Sequence, residues 1–278
     1  MSWYRQSHHH VYVSERNRQE LARFLQSRRG RLTPADVGLP AGPQSRRRAP
    51  GLRREEVAVL SGLSPSWYTY LEQGRNIHPS AQVLNSLARV LQLTDDERSY
   101  LHSLTGPAAP APQPSGAGDE LVRQLVHTTD HSPYPVYGID LYSDLIAWNP
   151  AVTAYYTDFG RLPPERRNML RWLLEAPEAK QRLPDWKNDT RDVVARLRTM
   201  AAQHDGDRRL QALVDELKRA SPEFTEWWRE HHVLGHGSRQ RRFQHPQHGE
   251  QTLRLLVVRA PDFAPAIVVF HVPLVPTG

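Results

Sequence analysis

The segment Gly106-Pro-Ala-Ala-Pro-Ala-Pro-Gln-Pro-Ser-Gly-Ala-Gly118 constrains the fold of this chain more than any other. Its prolines break helices and sheet ladders, and its small residues offer nothing to bury, so it reads as an extended or flexible linker. The 278 residues then divide into two bodies, 14–105 and 119–275, with 106–118 as the linker. Either body is long enough to bury its own core. Charge divides at the same place. Residues 1–105 carry 15 arginines and 9 acidic residues, a net of +6, while residues 106–278 carry 21 of each sign and are neutral. Positive charge confined to one body is the footprint of phosphate binding, although charge alone fits a solvated basic surface equally well.

The chain has no cysteine, which excludes disulfides and thiolate metal sites, and a cytoplasmic protein is expected. No apolar run reaches the roughly 18–20 residues of a membrane span, so no membrane partner is expected. The first ten residues have no signal-peptide core. Nothing matches a nucleophile elbow, a P-loop or a dinucleotide glycine fingerprint, so the chain is not expected to be an enzyme.

Helical spacing runs through the first body. Leu21, Phe24, Leu25 and Arg28 predict a helix over 14–29. A long loop over 32–51 holds Arg46-Arg47-Arg48. Short helices are predicted over 52–61 and 65–73, a fourth along Val83–Leu91, and a fifth from the capping box Thr94-Asp-Asp-Glu97 to about Leu104. This body is therefore all-α with five helices.

The stretch from Arg54 to Gly74 carries the most specific pattern. Two helices that cross steeply need a small residue at closest approach, which Ala58 supplies, and a turn with positive φ, which suits Gly62. Ser64 suits an N-cap and Pro65 the first helical position. Val57, Leu63, Tyr68 and Leu71 fall where the helices bury side chains against each other. The pattern predicts a helix-turn-helix of the lambda-repressor-like type, expected to read double-stranded DNA with its second helix in the major groove. The base-reading candidates are Ser64, Pro65, Ser66, Thr69 and Tyr70; Trp67 either packs beneath the helix or lies against the DNA backbone. The phosphate-contact candidates are Arg28, Arg29, Arg53, Arg54 and Arg75. Arg46, Arg47 and Arg48 are expected to form an arm along the DNA, on phosphates or in the minor groove.

Behind the linker, strands are predicted at Pro135–Ile139 and Leu145–Trp148. A helical stretch follows from Pro150 to about His232, interrupted at Pro163-Pro164, Pro177, Pro184 and Ser221-Pro222. Strand-like runs close the body at Arg241–His245, Thr252–Arg259 and Ala266–Val272. Strands, then helices, then strands is the order of an α+β domain with an antiparallel sheet. Trp148, Tyr155, Tyr156, Phe159, Trp172, Trp227 and Trp228 are candidates for the lining of an apolar pocket, against the plainer reading of core packing. Asn149 is expected to cap the following helix. His231, His232, His236, His245 and His248 are close in sequence, but lack zinc-type helical spacing, and no metal is expected there.

Several of these stretches together resemble a known family. Asp36-Val-Gly-Leu-Pro40 precedes the arginine cluster; Pro50-Gly-Leu-Arg-Arg-Glu-Glu-Val-Ala58, Trp67-Tyr68, Leu71-Glu-Gln-Gly-Arg75 and Pro79-Ser-Ala-Gln-Val-Leu84 follow. Across the linker come Ala147-Trp-Asn-Pro150, Asp158-Phe-Gly160, Ser221-Pro-Glu-Phe224 and Phe243-Gln-His-Pro246. The chain is similar in these to XRE-type regulators of the MmyB-like kind. The resemblance implies a transcription regulator whose second domain has a PAS-like fold and is similar to domains that bind fatty-acid-like ligands. No other cofactor is implied. A homodimer that binds an operator and senses a small apolar ligand is the first expectation. The alternatives are a second domain serving only dimerisation or a protein partner, and an enzyme tethered to DNA.

Overall fold

The computed structural model describes residues 13–40, 51–106, 116–235 and 237–274. The chain forms two compact units: Met1–Pro110 with Ala202–Gly206, and Ala111–Ala201 with Asp207–Gly278. Most of the predicted linker, and with it Arg46–Arg48 of the expected arm and His236, lies outside the described residues.

Among the described residues, five α-helices build the first unit: α1 (Glu15–Arg31), α2 (Arg54–Leu60), α3 (Pro65–Glu72), α4 (Ala81–Val90) and α5 (Asp95–Ser103). Ser14 starts α1 by accepting the Asn17 N–H at 3.0 Å. The α1 stripe Leu21, Phe24, Leu25 is buried and meets Tyr100 of α5 edge-on, with Phe24 and Tyr100 ring centres 5.1 Å apart. The capping box forms as expected: Glu97 N–H donates to Thr94 Oγ1 at 3.3 Å, and Thr94 N–H to Glu97 Oε2 at 3.1 Å. α2 begins two residues later than its predicted start, because Arg53 takes the cap position and its N–H is held by Glu56 Oε2 at 2.7 Å.

The second unit is α+β. Its five strands are β1 (Val136–Ile139), β2 (Leu145–Trp148), β3 (Arg239–His245), β4 (Gly249–Val258) and β5 (Ile267–Pro273), ordered β2-β1-β5-β4-β3, every pair antiparallel. β1 therefore joins the last strand as well as its own hairpin partner. Six helices lie between β2 and β3: α7 (Ala151–Tyr155), α8 (Met169–Glu175), α9 (Pro177–Arg182), α10 (Trp186–Gln203), α11 (Arg208–Ala220) and α12 (Pro222–Arg229). The predicted proline breaks hold: Pro177 opens α9, and Ser221 caps α12 ahead of Pro222. A further break falls at Gly206, φ 96°, after which Asp207 caps α11 by accepting the Leu210 N–H.

An unpredicted helix, α6 (Gly116–His127), precedes the sheet, so the last three residues of the expected linker are helical. Its Val122 and Val126 pack with Val136, Val268 and Phe263 on one face of the sheet. At Gly138 the fit is tight enough that a Cβ would lie 2.1 Å from Val122 Cγ1. Gly138→Ala is therefore expected to push α6 off β1 at a cost of about 1–3 kcal/mol, read as a lower denaturation midpoint. Adding Val122→Ala should restore part of that loss.

Asn149 does not cap α7, whose cap position is Pro150. The amide is fully buried and ties three backbone groups: it accepts the Val136 N–H at 3.0 Å and donates to Thr129 O and Tyr134 O, both at 3.0 Å. The proline after it occupies the cap position, which leaves the amide free to bond back across the β1–β2 hairpin.

Candidate DNA interface and ligand core

The α2–α3 turn has the geometry its residues require. Ala58 is fully buried at the crossing, Gly62 takes φ 71°, and Leu63 N–H closes on Ala58 O at 2.8 Å. Val57, Tyr68 and Leu71 are buried as expected, while Leu63 is half-buried. Ser64 caps α3 by accepting the Trp67 N–H at 3.2 Å, and Pro65 opens the helix.

This leaves Ser64, Pro65 and Ser66 exposed along the N-terminal turn of α3. Thr69 follows on the same helix, half-buried, its hydroxyl donating to Pro65 O at 2.8 Å and keeping its lone pairs as acceptors. Trp67 is half-buried. Tyr70 is exposed near the C-terminal end, and the Arg75 guanidinium lies 4.3 Å from its ring centre. Arg53 is exposed at the start of α2.

Two expected phosphate contacts turn inward instead. Arg28 is buried; its Nε pairs with Glu97 at 2.7 Å and its guanidinium lies 4.4 Å over the Phe24 ring. Burial lowers its pKa to about 10, with the Glu97 carboxylate opposing the shift. Arg29 grips the buried Glu72 carboxylate with Nε at 2.6 Å and Nη2 at 3.1 Å, and donates to Leu52 O at 2.8 Å. Arg54 is exposed but also donates to Glu72, at 2.7 Å. Glu72 thus joins α1, α2 and α3, and Gln26 of α1 adds a hydrogen bond to its carbonyl at 2.7 Å. Glu72 was not among the expected functional residues.

In the second unit, Trp148, Tyr155, Tyr156, Phe159 and Trp172 gather in one cluster with Phe243, Leu253, Leu255 and Val269 of the sheet. The rings meet edge to face: Tyr156 and Trp172 at 5.3 Å, Tyr156 and Phe243 at 5.3 Å, Trp148 and Phe159 at 6.0 Å. Trp227 and Trp228 are not part of this group. They belong to a neighbouring cluster among α8, α10, α11 and α12, with Trp227 approaching Trp186 at 5.8 Å.

A polar chain runs through the edge of the aromatic cluster. Arg241, on β3, donates from Nη1 to Tyr156 OH at 3.2 Å and from Nε to Asp189 of α10 at 3.0 Å. Tyr156 OH lies 2.7 Å from His271 Nε2, and His271 Nδ1 lies 2.8 Å from Pro135 O. A carbonyl oxygen only accepts, so Nδ1 carries the proton and Nε2 accepts from Tyr156. Burial, reinforced by the Arg241 charge, pushes the His271 pKa down to about 3, which keeps the ring neutral. Arg241, Asp189 and His271 were also not expected as site residues. The alternation Arg241-Arg-Phe243 placed Arg241 on the buried face with Phe243, and was the available signal.

A separate open groove of about 540 Å³ lies along α6 and β2, lined by Glu120, Arg123, His127, Asp130 and Trp148 among others. Its charged rim suits an apolar ligand poorly. His245 and His248 stack at 4.6 Å, and His245 Nδ1 accepts the Gln247 and His248 N–H groups of the turn. Among the described residues, no group of three histidines and carboxylates is placed to hold a metal ion. No helix among them is long and apolar enough to cross a membrane.

The family model described as the MmyB-like transcription regulator ligand binding domain matches residues 120–274, more than half of the chain. A helix-turn-helix domain model matches residues 20–101. No curated protein matches the chain. Helix-turn-helix and five-stranded antiparallel sheet agree with both matches, and the chain belongs to the MmyB-like transcription regulators.

Proposed function

We propose that the chain acts as a one-component regulator in which a homodimer sets two α3 helices about one DNA turn apart on a double-stranded operator. A small apolar, fatty-acid-like ligand held by the second unit shifts operator affinity. The observation that carries this reading is the gathering of Trp148, Tyr155, Tyr156, Phe159 and Trp172 on the buried face of the sheet, in a chain that also presents a reading helix.

Native mass spectrometry of the purified protein, with and without a saturated fatty acid, tests the dimer and the ligand together. A dimer mass with stoichiometric acid, and a changed mobility shift on operator DNA, is the expected result. A dimer that takes up no acid, and whose DNA binding does not respond, would instead make the second unit a dimerisation or partner module.

On DNA, Arg53 acts at phosphate and Ser66 and Thr69 at base edges. Arg53→Ala is expected to weaken binding to all sequences alike and to reduce the salt slope by about 1. The pair Ser66→Ala and Thr69→Ala is expected to change which sequence is preferred. Binding-site selection on random DNA distinguishes them. The same sequence-independent loss from both would remove α3 as the reader.

A further inference from the structure

α6 covers only part of its face of the sheet. Residues paired directly across antiparallel strands point the same way, so the register sets Arg254, Leu256 and Val258 of β4 on the face that carries Val268, Phe270 and Val272 of β5. Val268 is buried and packs with Val122 and Val126 of α6. One strand further on, the cover ends: Leu256 and Val258 are each 38% exposed, and Phe270 is only half-buried. Leu274, which continues the alternation of β5, is 37% exposed, and Leu121, one turn ahead of the half-buried Leu125 on α6, is 41% exposed. The described residues expose six large apolar side chains, and four of them lie on this one surface of helix and strands. Single exposed apolar residues are ordinary, but a grouping of this kind marks an interaction site. Toward β3 the same face turns polar, with Gln240 and Gln244 exposed. An apolar centre with a polar margin is the anatomy of a protein interface.

The charges on this surface fit a second copy of itself. Arg254 is exposed, two residues from Leu256 on the same face, and forms no ion pair among the described residues. Glu120 is exposed next to Leu121, and its link to Arg123, 3.5 Å between side chains 57% and 52% exposed, is one that water screens. A twofold axis brings residue i of one copy to residue j of the other, and j to i. A helix bearing a carboxylate and a strand bearing an arginine therefore satisfy each other twice in such a pair. A partner with one sign of charge would satisfy only one of the two.

We propose that this surface is the homodimer interface of the second unit. Leu121 of one copy packs against Leu256 and Val258 of the other, and Glu120 meets the partner's Arg254 on each side of the axis. This rests on the homodimer proposed above and gives it a location. The sheet face left open by α6 is closed by the same helix of the second copy, which removes the exposed leucines and valine from water.

Sedimentation velocity of the full chain over a range of concentrations tests this. The parent is expected to sediment as a dimer. Leu256→Glu sets a carboxylate in the apolar centre twice per dimer, and is expected to weaken dimerisation by about a hundredfold or more with unchanged circular dichroism. Glu120→Arg and Arg254→Glu are each expected to weaken it by about tenfold or more. Mixed in equal amounts, these two charge variants are expected to recover the parent's affinity as heterodimers, because each copy then offers the charge that the other lacks. A pair made within one chain could not be rescued by mixing. If Leu256→Glu fails to fold, the mixing result decides alone. A dimeric parent with an equally dimeric Leu256→Glu, or a mixture that recovers nothing, overturns this interface and leaves the homodimer intact. A monomeric parent overturns the homodimer and its interface together, and leaves the surface to a different partner.

Discussion

Glu72→Ala is expected to melt the first unit at much lower temperature, with a loss of about 3–5 kcal/mol. Glu72 lies in the last turn of α3, where the helix dipole disfavours a negative charge, and its carboxylate is fully buried. It is tolerated there because Arg29 holds it in a two-pronged grip from α1 and Arg54 reaches it from α2. Alanine would leave the Arg29 guanidinium in a largely closed site with no counter-charge, and would unlink three helices at once. Arg54 is half-exposed and contributes little of this, since water screens its pairing. In a domain of this size each kcal/mol is worth roughly 4–8 °C, so calorimetry should show a fall of more than about 12 °C. Hydrogen exchange should speed up in α1, α2 and α3 while the sheet strands stay protected. Glu72→Gln keeps the volume and some of the hydrogen bonding, and should lose less. A loss under about 1 kcal/mol in Glu72→Ala would mean that the pair is screened and that apolar packing alone holds the helices.

The second large effect is an acid limb set by His271. The folded pKa of about 3 lies below the value of about 6.5 for an unfolded histidine. Between these values the unfolded chain binds a proton that the folded chain refuses. The histidine's contribution is therefore fully present above about pH 6.5, and is lost as pH falls through that window toward 3. The slope is about 1.4 kcal/mol per pH unit, so this one ring is expected to remove a few kcal/mol of stability in acid. Paired carboxylates weaken the fold in acid too, but they are the same in parent and variant. His271→Gln should therefore flatten the limb of urea midpoint against pH, and the difference isolates the imidazole. Superimposable limbs would mean that His271 accepts its proton without unfolding the unit.

Much of the first unit was legible because its signals are local. Small residue, glycine and cap fall at fixed spacings around Ala58, Gly62 and Ser64, and backbone sterics leave few alternatives for that pattern. The direction in which a long side chain turns is less local. Arg28 occupies the next position in the stripe of Leu21, Phe24 and Leu25, so its burial was present in the spacing, but its charge suggested phosphate. Arg29 and Arg54 needed knowledge of where Glu72 would end, forty-three and eighteen residues away in sequence. In the second unit the strands were legible from β-branched and aromatic alternation. α6 was not, because it opens on Gly-Ala-Gly, which is poor helix material, and only contact with Val136 and Val268 stabilises it. The candidate ligand core divides the same way. The rings around Tyr156 were expected as a group, whereas Trp227 belongs to a separate helical layer that no periodicity distinguishes. The Arg241–Asp189 pair depends on α10 meeting β3, a contact across some fifty residues.

The strand order has a consequence for biosynthesis. β5, the last strand in chain order, lies in the middle of the sheet between β1 and β4. During translation the first unit has the five described helices available early, all of them within residues 15–103. The second unit has two separate hairpins, β1–β2 and β3–β4, whose inner edges wait for Ile267–Pro273 to emerge. Sheet formation is therefore delayed until a late, long-range closure, the slow kind of step. A ribosome-bound chain should acquire the capacity to hold DNA well before it acquires a completed ligand domain.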